Sequence, residues 1–127
     1  MSDERIMPTR WTDFDTAGHM TDAAYPVFFG NARGAYLTER VGSFDRFPAV
    51  LARIEIDYRS EIRYPNESVV VRTTVSEVGR SSITFEQELV RTDGVVAAVS
   101  RAVLVAWNPD ARGSRTIDDD ARARLLA

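Results

Sequence analysis

Between Thr12 and Tyr25 the chain reads Thr-Asp-Phe-Asp-Thr-Ala-Gly-His-Met-Thr-Asp-Ala-Ala-Tyr. Asp13 and Asp15 stand two positions apart, Gly18 marks a turn, and His19 is the only histidine. A long amphipathic helix follows. In an extended segment the two carboxylates point to one side and Phe14 to the other. A carboxylate just ahead of a helix start can take a proton from water or attack a carbonyl directly. The unpaired N–H groups and partial positive charge of the helix N-terminus would steady the oxyanion that develops. The same spacing has a plainer use, because aspartates beside glycine often cap turns. Spacing alone favours the plainer use.

Composition removes most competing chemistries. There is no cysteine, so disulfides, thiolate nucleophiles and the common zinc frameworks are excluded. All 16 basic residues are arginine, which rules out Schiff-base chemistry and a Walker lysine. No Gly-x-Ser-x-Gly elbow is present. One histidine with scattered carboxylates makes a poor metal set, and Asp118 to Asp120 lack calcium-loop spacing. That acidic run reads as a solvated helix start. Carboxylates, chiefly Asp13 and Asp15, remain as acid, base or nucleophile.

The 127 residues fit one domain, 1–127, and 44% hydrophobic content is enough for a core. A formal net charge of −3 gives no basic field for nucleic acid. The charged N-terminus lacks the apolar segment of a signal peptide. The longest purely apolar run, 102–107, is far short of the roughly 20 residues that span a bilayer. The expectation is a soluble cytoplasmic protein with no membrane partner.

The elements that must position the Asp15 segment are legible as changes of period. Residues 6–12 read as a short strand. Tyr25, Phe28, Phe29, Ala32, Ala35 and Tyr36 then recur at three- and four-residue steps, giving one apolar helix face, with Arg33, Glu39 and Arg40 mostly on the other. Thr21 or Asp22 can cap this helix, Pro26 suits its first turn, and Gly42 can end it. Gly30 and Gly34 cost about 1 kcal/mol each relative to alanine. A flat face packed closely against a sheet would compensate.

From Ala49 the period becomes two, with four alternating segments around 54–58, 69–75, 83–89 and 98–107. Asn66-Glu67, Gly79-Arg80 and Asp93-Gly94 separate them. Ala98, Ser100, Ala102, Leu104 and Ala106 form a small-residue face on which a helix could lie. Phe44, Phe47 and Pro48 either wall a pocket or plug the sheet edge. Residues 117–126 read as a short peripheral helix. The order of strand, long helix and antiparallel strands is α+β.

These segments resemble the hotdog-fold acyl-CoA thioesterases of the 4-hydroxybenzoyl-CoA thioesterase type. The family pattern is a strand, then Asp-x-Asp-x-x-Gly-His/Ile-Val, a polar pair, and a tyrosine in an aromatic-rich helix. Trp11 to Met20 followed by Ala24-Tyr25 matches it, as do 54–63, 78–82 and the strand ending in Trp107-Asn108-Pro109. The likeness covers nearly the whole chain. It implies a long central helix wrapped by a five-stranded antiparallel sheet. It implies hydrolysis of an acyl-CoA thioester, with coenzyme A as part of the substrate and no separate cofactor or metal.

By resemblance, Asp15 is the general base or nucleophile, and a backbone N–H near Asp22 polarises the thioester oxygen. Gly18 shapes the turn, His19 orients the loop or contacts substrate, and Tyr25 falls at the substrate. Arg80, Ser81 and Ser82 match the turn where relatives touch the CoA nucleotide or pantetheine. Family members are homodimers, often doubled to homotetramers, with sites between subunits. Two departures stand out. Thr21 and Asp22 replace an asparagine pair common in relatives, and Gly30-Asn31 occupy a position where relatives often carry glutamate. They keep open a non-catalytic acyl-CoA or acyl-carrier binding module; a third reading is a hydratase or dehydratase with His19 as base.

Overall fold

The computed structural model describes residues 3–127. Strand β1 (Asp3–Pro8) leads through a 3-10 turn at Trp11–Asp13 to helix α1 (Ala24–Arg40). Strands β2 (Ala49–Tyr58), β3 (Ser68–Val78), β4 (Ser82–Val90) and β5 (Val96–Asn108) follow, then the two-residue β6 (Gly113–Ser114) and helix α2 (Asp119–Leu126). The antiparallel sheet runs β1-β3-β4-β5-β2, with β6 added to β5. The wrapped helix and five main strands expected from the sequence are present, though the first strand lies at Asp3–Pro8 and not at 6–12; β6 is an addition.

Alternation aims the core residues. Ala98, Ser100, Ala102, Leu104 and Ala106 are all buried on the inner face of β5. Helix α1 covers the same side of the sheet, chiefly over β3 and β4, through Tyr25, Phe28, Phe29, Ala32, Tyr36 and Leu37. Two apolar clusters result, one around Tyr36, Phe85 and Leu104, the other around Phe28, Phe29 and Val71. Between them lies a polar row, Thr73, Gln87 and Ser100, on adjacent strands by register.

Several expectations need correction. Arg33 is on the buried face of α1, not the outer one. Neither Thr21 nor Asp22 caps the helix through its side chain; Ala23 occupies the cap position. Gly30 and Gly34 do not press against the sheet. A methyl group at residue 34 would meet nothing within 4 Å. Helix α2 is not peripheral, because Ile117, Ala121 and Leu125 close one end of the core. Asp118 caps it by accepting from the Ala121 N–H at 2.8 Å, and Tyr36 Oη donates to the Leu125 carbonyl at 2.8 Å. Phe47 is buried beneath the Arg115 guanidinium, whereas Phe44 is exposed.

Gly42 does end α1. It adopts φ +118 and its N–H donates to the Leu37 carbonyl at 2.9 Å. Strand β2 is an unpartnered sheet edge ten residues long. No helix among the described residues is long and apolar enough to cross a membrane.

Candidate active site

The Asp13–Asp15 segment becomes extended only at Phe14, because Asp13 ends the 3-10 turn. The Arg10 N–H donates to Asp13 Oδ2 at 2.8 Å and Arg10 Nη2 donates to Oδ1 at 2.9 Å. Asp13 is thereby buried, 4% exposed, and committed to closing the 3-10 turn. The shared carboxylate pair suggested by spacing does not form. Asp15 is left exposed and alone.

The turn at 15–19 explains how Asp15 is held. Gly18 sits at φ +79, a conformation most side chains resist. That lets the chain reverse, so that the Asp15 N–H donates to the His19 carbonyl at 2.8 Å. The side chain folds back over the reversal. Asp15 Oδ1 accepts from the Ala17 N–H at 2.9 Å and from the His19 N–H at 3.1 Å. Oδ2 has no hydrogen-bond partner among the described residues. One oxygen is fixed and the other is available.

The turn is anchored from below. Met20 N–H donates to the Ile62 carbonyl and Tyr64 N–H to the Gly18 carbonyl, both at 2.7 Å. Trp11, Phe14, Thr16, Gly18 and Tyr64 line a pocket of about 440 Å³ around Asp15. Phe14 and Tyr64 meet edge to face at 5.4 Å. The sequence reading missed these three aromatic walls. No sequence signal marks them beyond their types and, for Trp11 and Phe14, their nearness to Asp15, because the exposure of Trp11, 78%, is visible only in the fold.

A second pocket of about 340 Å³ lies on the other side of the turn, bounded by His19, Asp22, Tyr25, Tyr58, Ser60 and Glu61. His19 Nε2 is 2.9 Å from Glu61 Oε2. Tyr25 is buried and packs edge to face on Tyr58 at 4.9 Å. Burial, then the neighbouring Tyr58, pushes the Tyr25 hydroxyl above the usual tyrosine range. Tyr58 Oη donates to the Asp22 carbonyl at 3.0 Å, and the Asp22 N–H at the entry to α1 has no protein acceptor among the described residues. Asp15 and Asp22 therefore line different pockets, joined only through the turn.

Arg80, Ser81 and Ser82 lie elsewhere in the chain. They form the β3–β4 turn, where the carbonyls of Arg80 and Ser81 accept from Ile117 and Ala106 at 2.8 Å. The eleven residues of β3 separate this turn from the Asp15 end, about 36 Å at ~3.3 Å per residue. Within a single chain the two groups do not meet. Among the described residues no cluster of three or more histidine or carboxylate groups could hold a metal ion.

Comparison with known proteins agrees with this architecture. Residues 9–125 match the family model described as thioesterase-like superfamily. No curated relative matches significantly. Among solved structures, a predicted thioesterase from Bacillus stearothermophilus is 30% identical, with a TM-score of 0.90 over 98% of this chain and 94% of that one. A thioesterase from Thermus thermophilus, complexed with coenzyme A and zinc, is 27% identical, with a TM-score of 0.86 over 98% and 97%. A DHNA-CoA thioesterase from Staphylococcus aureus, at 18% identity and a TM-score of 0.87 over 98% and 90%, shares the fold. The wrapped helix, the strand order and the near-complete family match together place this chain in the thioesterase-like superfamily, as a hotdog-fold thioester hydrolase.

Proposed function

We propose that the chain hydrolyses an acyl-CoA thioester to a free acid and CoA, with Asp15 as general base or nucleophile. The observation that carries this reading is the Asp15 carboxylate itself, with Oδ1 fixed by two amides and Oδ2 open in an aromatic-walled pocket. As base, Oδ2 takes a proton from water, and the oxygen of that water adds to the thioester carbon. The tetrahedral oxyanion re-forms the carbonyl as the C–S bond breaks, and the CoA thiolate leaves with the proton. As nucleophile, Oδ2 adds directly and CoA departs from a mixed anhydride, which water then cleaves. Either route develops negative charge on the carbonyl oxygen; the free Asp22 N–H would stabilise it where the substrate crosses the turn between the two pockets.

This site would be completed by a second subunit. The β3–β4 turn is too far from Asp15 in one chain to touch the same substrate. Pairing of the open β2 edges in a homodimer, or a dimer of dimers, would bring Arg80, Ser81 and Ser82 of one copy toward the other. The open edge and the CoA-bound Thermus thermophilus neighbour support this assembly and ligand. The enzyme would act in the cytoplasm and need no cofactor beyond the CoA of its substrate.

Release of free CoA from a panel of acyl-CoA thioesters, compared between wild type and Asp15→Asn, is the direct test. Loss in kcat at unchanged KM supports the assignment; equal hydrolysis by both proteins removes it. Single turnover in heavy-oxygen water can identify the nucleophile route, because label enters Asp15 only when water cleaves the mixed anhydride at the aspartyl carbon. Tight acyl-CoA binding without turnover in wild type would select the non-catalytic binding module instead. The His19–Glu61 pair favours one competing reaction, hydration of an enoyl-CoA with His19 as base. Water addition lost in His19→Ala but kept in Asp15→Asn would establish it.

A further inference from the structure

Arg33 is a cation placed where a cation is costly. It is 6% exposed, on the sheet-facing side of α1, and burial holds its pKa below the usual arginine range. Its Nη1 donates to Gln87 Oε1 at 3.0 Å. Gln87 is in turn fixed, donating through Nε2 to the Phe29 carbonyl at 3.0 Å and to Thr73 Oγ1 at 3.1 Å. No carboxylate lies within ion-pair distance of Arg33 among the described residues. A neutral amide therefore holds one edge of the guanidinium, and nothing neutralises its charge.

The other edge faces open space. Gly30, Arg33, Gly34, Leu37, Phe47 and Leu104 border a groove of about 380 Å³ that continues to Phe44 and Leu51. The two helix glycines keep it open. A methyl group at residue 30 would sit 3.6 Å from Arg33 Nη2, and one at residue 34 would project into the void. Glycine disfavours the helix at both positions, and neither is repaid by close packing. The glycines, the unneutralised cation and the apolar walls share one explanation.

We propose that this groove is a carboxylate-binding subsite, in which Arg33 holds the anion and Leu37, Phe47, Leu51 and Leu104 flank its hydrocarbon. The planar guanidinium fork matches a carboxylate through two parallel N–H donors. A phosphate would bring more charge than one arginine can satisfy between apolar walls. Two molecules carry the required chemistry: the free acid released by hydrolysis, and an acyl thioester bearing a second carboxylate at its far end. Binding of the free acid does not depend on thioesterase activity. The acyl version rests on the proposed function.

The test titrates the intact protein calorimetrically with octanoate and with octanamide, its neutral counterpart. Octanoate should saturate wild type, and octanamide should bind at least about tenfold more weakly. Arg33→Gln should abolish that preference. Gly34→Leu, whose side chain would project into the groove, should block both ligands while keeping the fold. Equal binding of octanoate and octanamide, or octanoate binding unchanged in both variants, overturns the proposal. So does an Arg33→Gln protein that melts much lower and falls apart in sedimentation, since Arg33 would then be paired with a carboxylate of a second copy. Hydrolysis of suberyl-CoA against octanoyl-CoA distinguishes the two sources. A wild-type preference for suberyl-CoA that Arg33→Gln reverses assigns the groove to the acyl group, and octanoate binding without that preference assigns it to the free acid.

Discussion

The Asp15 turn and the row beneath the middle of α1 each present a charged group to an open pocket, under opposite conditions. Asp15 stays in water, so its charge needs little compensation, and two backbone amides suffice to aim it. Arg33 is stripped of water and has one neutral partner. Removing a lone ion from solvent costs several kcal/mol after relaxation. The contrast separates two ways of building a site. A turn can orient a reactive group at almost no expense in stability, whereas a recognition group under a helix draws on the stability of the core.

The largest test of this contrast is Asp15→Asn. The amide keeps the shape of the turn but can neither take a proton nor attack, so kcat should fall by about 10²–10⁴. Thermal unfolding should barely move. A melting shift as large as the rate effect would mean that Asp15 is structural after all.

Asp13→Ala is the mirror image. Losing the cap on the 3-10 turn should cost roughly 1–2 kcal/mol in urea unfolding. Because the Arg10 partner is largely exposed, the figure belongs at the low end. Turnover should fall far less than in Asp15→Asn. If the two variants lose rate equally, the aspartates act as a pair and the division of labour drawn here is wrong.

Gly42→Ala should destabilise by about 1 kcal/mol or more, because φ is positive and the new methyl would press on Arg46 Cβ at 2.8 Å. Gly34→Ala should do the reverse, raising stability by up to about 1 kcal/mol since helical backbone and open space both accept it. Chemical denaturation of the two single variants reads the difference. A destabilised Gly34→Ala would show that the groove closes in solution.

The architecture is legible in the sequence because its periods are clean. Alternation in β3, β4 and β5 and the aromatic steps of α1 put nearly every core residue on its observed face. The misreadings have local causes. Spacing places Asp13 and Asp15 side by side only on an extended backbone, whereas Arg10 closes a 3-10 turn that rotates one of them inward. Charge assigns Arg33 to the outer face, although it stands four residues after Phe29 and four before Leu37, both buried. Position outweighs polarity there. The same spacing of four in Ile117, Ala121 and Leu125 announces that α2 covers the core. The proposed association of Arg80 with Asp15 has no local signal, because nothing within one chain brings them together.

The rim formed by β2 has one more implication. Side chains alternate along it, so a strand arriving there one position out of phase would turn its apolar side chains toward water. Only shifts by even steps preserve the match, and the irregularity between Leu51 and Arg53 spoils most of those. A strand docking along this rim would thus be indexed like the teeth of a rack, and a single inserted residue between 53 and 58 would scramble it together with the β2–β5 register behind it.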